Sequence, residues 1–254
     1  MKKYILYISL FAMLFSACDK ASDSGPATSA DPTAAGNTTG QGGSLARFTI
    51  ADDHLYVVDN QKLYTYSLTN EDNPQLKSSQ NIGFNVETIY AYKDKLFIGS
   101  QQAMYIYSIS NSDYPSKLGD ARHVRACDPV VANDSIAYVT VRSGTNCGGT
   151  VNAMYVYNIN YILQPRQRNV IPMKNPHGLG MKGDRLYVCD GSNGLSIYNI
   201  TEPIYPKLVK QIYGDTFYDV IIYDNLLICM IEGGMLLYEI KPNDELVRLA
   251  NITG

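Results

Sequence analysis

The sequence predicts an all-β fold, a five-bladed β-propeller of four-stranded blades with a repeat of about 41 residues. Three observations predict it. One tyrosine recurs at Tyr66, Tyr107, Tyr157, Tyr198 and Tyr238, at intervals of 41, 50, 41 and 40 residues, inside runs such as Met104-Tyr105-Ile106-Tyr107-Ser108-Ile109. A second anchor lies upstream in every copy: Leu55-Tyr56-Val57, Leu96-Phe97-Ile98, Ala137-Tyr138-Val139, Leu186-Tyr187-Val188 and Leu227-Ile228-Cys229. Between the anchors sit short polar turns, among them Asp59-Asn60-Gln61, Gly191-Ser192-Asn193-Gly194 and Glu232-Gly233-Gly234. Two anchors kept in register through five copies define one repeated unit.

Residues 1–17 have the layout of a bacterial lipoprotein signal peptide. Lys2 and Lys3 precede the apolar stretch 4–15, which is too short to span a bilayer as a helix, since that takes about 20 residues. Small residues then lead to Cys18, in the run Leu14-Phe15-Ser16-Ala17-Cys18. This run resembles a lipobox, whose cysteine is acylated and becomes the new N-terminus, and several acyl chains anchor stably where one does not. Residues 18–44 are the expected lipid-anchored linker. After Cys18 the linker contains no aromatic residue and no aliphatic residue larger than alanine. Such a segment cannot bury enough surface to offset the entropy of ordering it. As a flexible tether its 26 residues from Asp19 to Ser44 would span roughly 28 Å.

Residues 45–254 are the expected propeller. In the second copy the strands are read as 86–92, 95–99, 104–109 and 117–124, rich in β-branched and aromatic residues and separated by breaks holding Gly, Asn, Asp and Pro. The middle strands are apolar on both faces, so each small sheet must be covered on both sides. An open β-solenoid, the rival arrangement, normally uses shorter repeats. The third copy is longer, with its extra residues in Arg142-Ser143-Gly144-Thr145-Asn146-Cys147-Gly148-Gly149-Thr150-Val151-Asn152. An insertion in one blade either decorates a binding face or is a tolerated surface loop.

The fourth copy carries a resemblance to a known family. From His177-Gly178-Leu179 it runs through Gly194-Leu195-Ser196-Ile197-Tyr198-Asn199-Ile200-Thr201-Glu202-Pro203-Ile204-Tyr205-Pro206-Lys207-Leu208-Val209. This resembles the LVIVD repeat of bacterial surface and secreted proteins, a Gly-Leu-x-Ile-x-Asp-Ile-Ser-x-Pro-x-x-Pro-x-Leu-Val pattern. The resemblance implies an exported propeller and no settled activity. Where the family favours Asp near the end of the third strand, this chain has Ser67, Ser108, Asn158, Asn199 and Glu239. Serine and asparagine can make the same local bond to the backbone.

Near the start of each first strand sits an ionisable residue: Arg47, Glu87, Asp128, His177 and Asp219. First strands line the channel of a propeller, so these five are candidate ligand-binding residues at its mouth. The preferred reading is that each bonds the backbone of the next blade and holds the ring together, because half-buried charges usually exist as paired or hydrogen-bonded groups. Cys127 and Cys147 could form a disulfide that pins the third-copy loop, while Cys189 and Cys229 read as small buried side chains. The recurring tyrosine reads as packing between blades rather than as a sugar platform. The exposed sugar-binding candidates are instead the loop tyrosines next to prolines, Tyr114, Tyr161 and Tyr205, and these are read in preference as hydrophobic plugs of the blade turns.

No cysteine pair has zinc spacing, and His54, His123 and His177 are scattered, so neither metal nor cofactor is expected. No catalytic motif is present. A net charge of −3 argues against a nucleic-acid partner. The expected function is that of a non-catalytic scaffold, binding protein or polysaccharide and held by its N-terminal lipid in the bacterial cell envelope, at the outer membrane or cell surface rather than the inner membrane. The alternatives are a carbohydrate-active enzyme using Glu87, Asp128 and Asp219, with two carboxylates flanking the cleaved bond, or a purely structural envelope protein.

Overall fold

A computed structural model describes residues 43–122, 129–144, 149–243 and 245–254. Cys18, the pair Cys127 and Cys147, and Asp128 lie outside the described residues. Twenty strands form five four-stranded sheets, each made of consecutive strands paired antiparallel in chain order. Blade 1 holds β1 (Phe48–Ala51), β2 (His54–Val58), β3 (Lys62–Ser67) and β4 (Gln75–Asn81). Blade 2 holds β5 (Val86–Tyr92), β6 (Lys95–Ser100), β7 (Ala103–Ser108) and β8 (Ser116–Arg122). Blade 3 has β9 (Val130–Ala132), β10 (Ile136–Val141), β11 (Ala153–Asn158) and β12 (Arg166–Pro172). Blade 4 has β13 (Leu179–Lys182), β14 (Arg185–Cys189), β15 (Leu195–Asn199) and β16 (Lys207–Ile212). Blade 5 has β17 (Phe217–Tyr223), β18 (Leu226–Ile231), β19 (Gly234–Ile240) and β20 (Leu246–Thr253). The chain is the five-bladed β-propeller that the repeats predict, and no helix among the described residues is long and apolar enough to cross a membrane.

Local chemistry repeats with the blades. First and second strands meet in two-residue turns at 52–53, 93–94, 183–184 and 224–225. Asp52, Asp53, Lys93, Gly183 and Asp224 take positive φ there, the twist that short hairpins require. The ladder between third and fourth strands shifts register immediately before the recurring tyrosine in every blade, at Thr65/Tyr66, Ile106/Tyr107, Val156/Tyr157, Ile197/Tyr198 and Leu237/Tyr238. Such a bulge bends the strand and re-aims the side chain that follows it. At the strand end, Ser67, Ser108, Asn158 and Asn199 each accept a hydrogen bond from the backbone N–H two residues on. Glu239 instead pairs with Lys241 at 2.7 Å.

The core is divided between blades. Each blade has a leading face toward the preceding blade and a trailing face toward the next. Tyr56, Val58 and Leu63 of blade 1 pack on Ile89, Leu96, Ile98 and Tyr107 of blade 2. Phe97, Met104 and Ile106 meet Val130, Val139 and Tyr157; Tyr138, Met154 and Val156 meet Leu179, Leu186, Val188 and Tyr198. Tyr187, Cys189, Leu195 and Ile197 meet Val220, Leu227, Cys229 and Tyr238. Four of the recurring tyrosines are therefore packing residues between blades. Hydrogen bonds stitch the same junctions: Tyr56 Oη donates to the Ser112 carbonyl at 3.0 Å and Tyr138 Oη to that of Pro203 at 2.8 Å. His54 Nε2 lies 2.8 Å from Asp113 Oδ1 across the first junction.

The junction of blade 5 with blade 1 differs. Met230 is 37% exposed and Phe48 54%, and Tyr66, the recurring tyrosine of blade 1, is only half-buried. The turn tyrosines also depart from expectation. Tyr114, Tyr161 and Tyr205 are exposed and plug nothing. Partly buried Ile162 and Ile204, next to Tyr161 and Tyr205, pack on the cores instead.

Candidate functional site at the channel mouth

First strands start at one face of the ring, and the loops joining second to third strands end on that face. The ladder of β5 with β6 shifts between Val86 and Thr88, which leaves Glu87 as the bulged residue. Tyr218 occupies the same place in blade 5, where the shift falls between Phe217 and Asp219. His177 immediately precedes Gly178 and β13; its N–H donates to the Cys189 carbonyl at 2.7 Å, and its own carbonyl accepts from Thr140 Oγ1 at 2.6 Å.

Five groups share this mouth electrostatically: Arg47, Glu87, Arg142, His177 and Tyr218. Burial pushes the Glu87 carboxyl above its ordinary range, against the pull of Arg47 and then Arg142. Burial lowers the Arg142 guanidinium, with Glu87 and Tyr218 opposing, and it stays charged because its ordinary value is so high. Burial, reinforced by Arg142, brings His177 down to about 4, so the ring is neutral at physiological pH. The His177 ring stands edge-on to Tyr218 with centroids 5.2 Å apart. His177 is 7% exposed, and its Nε2 is buried without a hydrogen-bond partner. Buried polar atoms are normally satisfied, so this one is a place where a ligand atom would be favoured.

Asp219 stands apart from that group. Its carboxylate accepts from Ser44 Oγ at 3.3 Å and from the Leu45 N–H at 3.4 Å. Burial raises it to about 6, and hydrogen bonds from the backbone of Val220 and Leu45 and from Ser44 offset part of the rise. Ser44 Oγ in turn accepts from the Leu179 N–H at 2.7 Å, and the Ala46 carbonyl from the Ile89 N–H at 2.9 Å. Gly43 and Ser44, which the sequence assigns to the tether, are thus buried; Ser44 fastens blades 4 and 5 together and Ala46 reaches blade 2. A Cβ on Gly43 would fall 2.1 Å from Asp219 Oδ2, so this approach needs glycine. Ser44 also lines a small cavity together with Tyr90, Val131, Leu179, Met181 and Val220 from the first strands of blades 2 to 5.

Of the five candidates, Arg47, Glu87 and His177 lie at the mouth, Arg47 being exposed and hydrogen-bonded to Asn60 at 3.3 Å. Asp219 is a packing carboxylate one layer in, and Asp128 lies outside the described residues. Arg142 and Tyr218 are the contributors that strand-start reading missed. Arg142 follows the end of β10 directly, and the apolar run Ala137-Tyr138-Val139-Thr140-Val141 ending in a lone arginine at the mouth face was the available signal. Among the described residues no group of three or more His, Cys, Asp or Glu could hold a metal ion. Cys189 and Cys229 are free and buried.

No protein-family description matches the chain, and no curated protein is similar to it in sequence. Solved structures are similar in fold. A functionally unknown protein from Desulfotomaculum acetoxidans DSM 771 superposes with a TM-score of 0.66 at 9% identity, over 86% of this chain and 70% of that one. The periplasmic gluconolactonase PpgL of Pseudomonas aeruginosa gives 0.60 at 10% identity, over 82% and 67%. BamB from Moraxella catarrhalis gives 0.55 at 7% identity, over 73% of this chain and 53% of BamB. At these identities the likeness establishes a β-propeller and nothing of its chemistry.

Proposed function

We propose that this chain is a lipid-anchored β-propeller of the bacterial cell envelope, working as a non-catalytic scaffold that takes a protein or polysaccharide at the mouth of its channel. The observation that carries the reading is the buried, unpartnered Nε2 of His177 beside Arg142 and Tyr218. Exposed Phe84 and Tyr213, in the connections that precede β5 and β17, add apolar surface on the same face. Aromatic faces beside hydrogen-bonding groups suit sugars and extended peptides alike. The anchor rests on the lipobox-like run ending in Cys18, and export on that run and the LVIVD-like repeats.

A carbohydrate-active enzyme would need two carboxylates about 5–9 Å apart across a bound substrate. Asp219 is held by Ser44 and Leu45 instead, which weighs against its use as an acid or nucleophile. Glycan-array binding by the full chain, repeated with Glu87→Ala, Arg142→Ala and His177→Ala, tests the reading. Binding lost in these variants with circular dichroism unchanged supports a mouth site. Binding that survives all three, or sugar turnover lost in Glu87→Ala, contradicts it. Cys18→Ser should abolish labelling by a palmitate analogue and release the protein from membranes.

A further inference from the structure

We propose that copies of this chain associate head to tail, the trailing face of blade 5 in one copy seating on the leading face of blade 1 in the next. At the four internal junctions the trailing second-strand residue equivalent to Met230 is buried: Val58, Gly99, Thr140 and Cys189. Met230 is 37% exposed, and its neighbours Ile228, Met235 and Leu237 on that face are half-buried. The leading first-strand residue behaves likewise. Ile89, Val130, Leu179 and Val220 are at most 1% exposed, whereas Phe48 in blade 1 is 54% exposed. Val57, Tyr64 and Tyr66 on the same face of blade 1 are half-buried.

Both open faces are halves of a surface that this sequence builds four times. At each internal junction a trailing aromatic (Tyr56, Phe97, Tyr138 or Tyr187) and its aliphatic neighbours meet leading aliphatic side chains and the recurring tyrosine; blade 5 puts Ile228 in the aromatic's place and blade 1 keeps Tyr66, so the two open faces match as apolar surfaces. Blade 1 also presents a bare turn, with residues 69–76 all exposed, where the matching turn in blade 2 accepts the Tyr56 hydroxyl and has Pro115 buried. Within one chain, the described bonds joining blade 5 to the start of blade 1 run through Ser44 and Leu45 at the mouth. None joins the two sheet faces among the described residues. Pairing unlike faces is a heterologous contact, which extends with concentration unless the rotation closes it.

The equivalence of Met230 with Cys189 and of Val57 with Cys229 supplies the test. Cys189 and Cys229 sit together in the core between blades 4 and 5. The full chain is purified in mild detergent with two different tags, one version carrying Val57→Cys and the other Met230→Cys. After mixing and oxidation, a peptide linking positions 57 and 230 across the two tags is expected. Sedimentation velocity of the unaltered chain should shift to larger species with concentration, and Met230→Arg or Leu237→Arg should abolish the shift with circular dichroism unchanged. In a version carrying both Val57→Cys and Met230→Cys, a link formed only within one chain would mean that the ring closes on itself. That result overturns the proposal, as would a monomer at every concentration or association indifferent to both arginine variants.

Discussion

Asp219 and His177 are expected to drive stability in opposite directions over the same pH window. Folded Asp219 keeps its proton up to about pH 6, whereas the unfolded chain releases it near 3.8. Between those values the folded state binds more protons, so this group's contribution falls as pH rises. The displacement is worth about 3 kcal/mol, at about 1.4 kcal/mol for each tenfold change in proton affinity. His177 behaves in reverse: the folded ring stays neutral down to about 4, while the unfolded ring is protonated below 6.5. Its contribution is therefore present above 6.5 and lost as pH falls toward 4, again by about 3 kcal/mol. The two nearly cancel, and the unaltered chain should show little net slope from this pair. Asp219→Asn keeps an acceptor for Ser44 Oγ and removes the titration. That variant should be more stable than the unaltered chain at pH 7.5 and should lose stability on going from pH 6.5 to 4, by about 3 kcal/mol less what Glu87, raised by burial, returns over the same range. His177→Gln should lose stability from pH 4 to 6 instead, with Glu87, also raised by burial, adding to that slope. Urea denaturation followed by circular dichroism at fixed pH values from 4 to 7.5 reads both. If Asp219→Asn follows the same pH profile as the unaltered chain, Asp219 ionises normally and the Ser44 segment does not bury it.

Three further outcomes are expected. Tyr138→Phe removes the hydroxyl that reaches the Pro203 carbonyl and should cost about 1 kcal/mol in denaturant melts, while leaving mouth binding intact. Gly194 (φ 98°) and Gly144 (φ 72°) both take left-handed backbone, but a Cβ on Gly194 would fall 2.0 Å from the Ile212 carbonyl oxygen, and one on Gly144 meets nothing within 4 Å. Gly144→Ala should cost about 1 kcal/mol and Gly194→Ala clearly more, compared by melting temperature. Burial raises both the Cys189 and Cys229 thiols, Cys229 to about 12, so peptide mapping should find both unmodified by iodoacetamide at pH 8 until the chain unfolds.

The repeat made the fold legible because each blade reuses one set of local rules. The strand read at 86–92 coincides with β5, and the recurring tyrosine marks the bulge and the core between blades. The mouth was less legible, for a reason visible in the ladders. Blades 2 and 5 insert a residue into the first strand, at Glu87 and Tyr218, and blade 1 does not. Counting back from the second-strand anchor therefore places Arg47 and Asp219 level with Thr88 rather than with Glu87, and Asp219 falls into the packing layer. Composition assigned Ser44 to the tether, since a short polar segment that binds through its backbone and one hydroxyl carries no hydrophobic signature. The open junction was invisible for a similar reason. Leu55, Val57 and Tyr66 have the same pattern as their buried equivalents, and pattern does not record whether a neighbour is present.

A crystal structure of the full chain tests the central claim most directly. The account predicts five consecutive four-stranded sheets, the His177 ring edge-on to Tyr218 beside Arg142, and Met230 and Val57 kept apart within each chain. Another number of blades, a sheet shared between blades, or Met230 buried against Val57 of the same chain would contradict it.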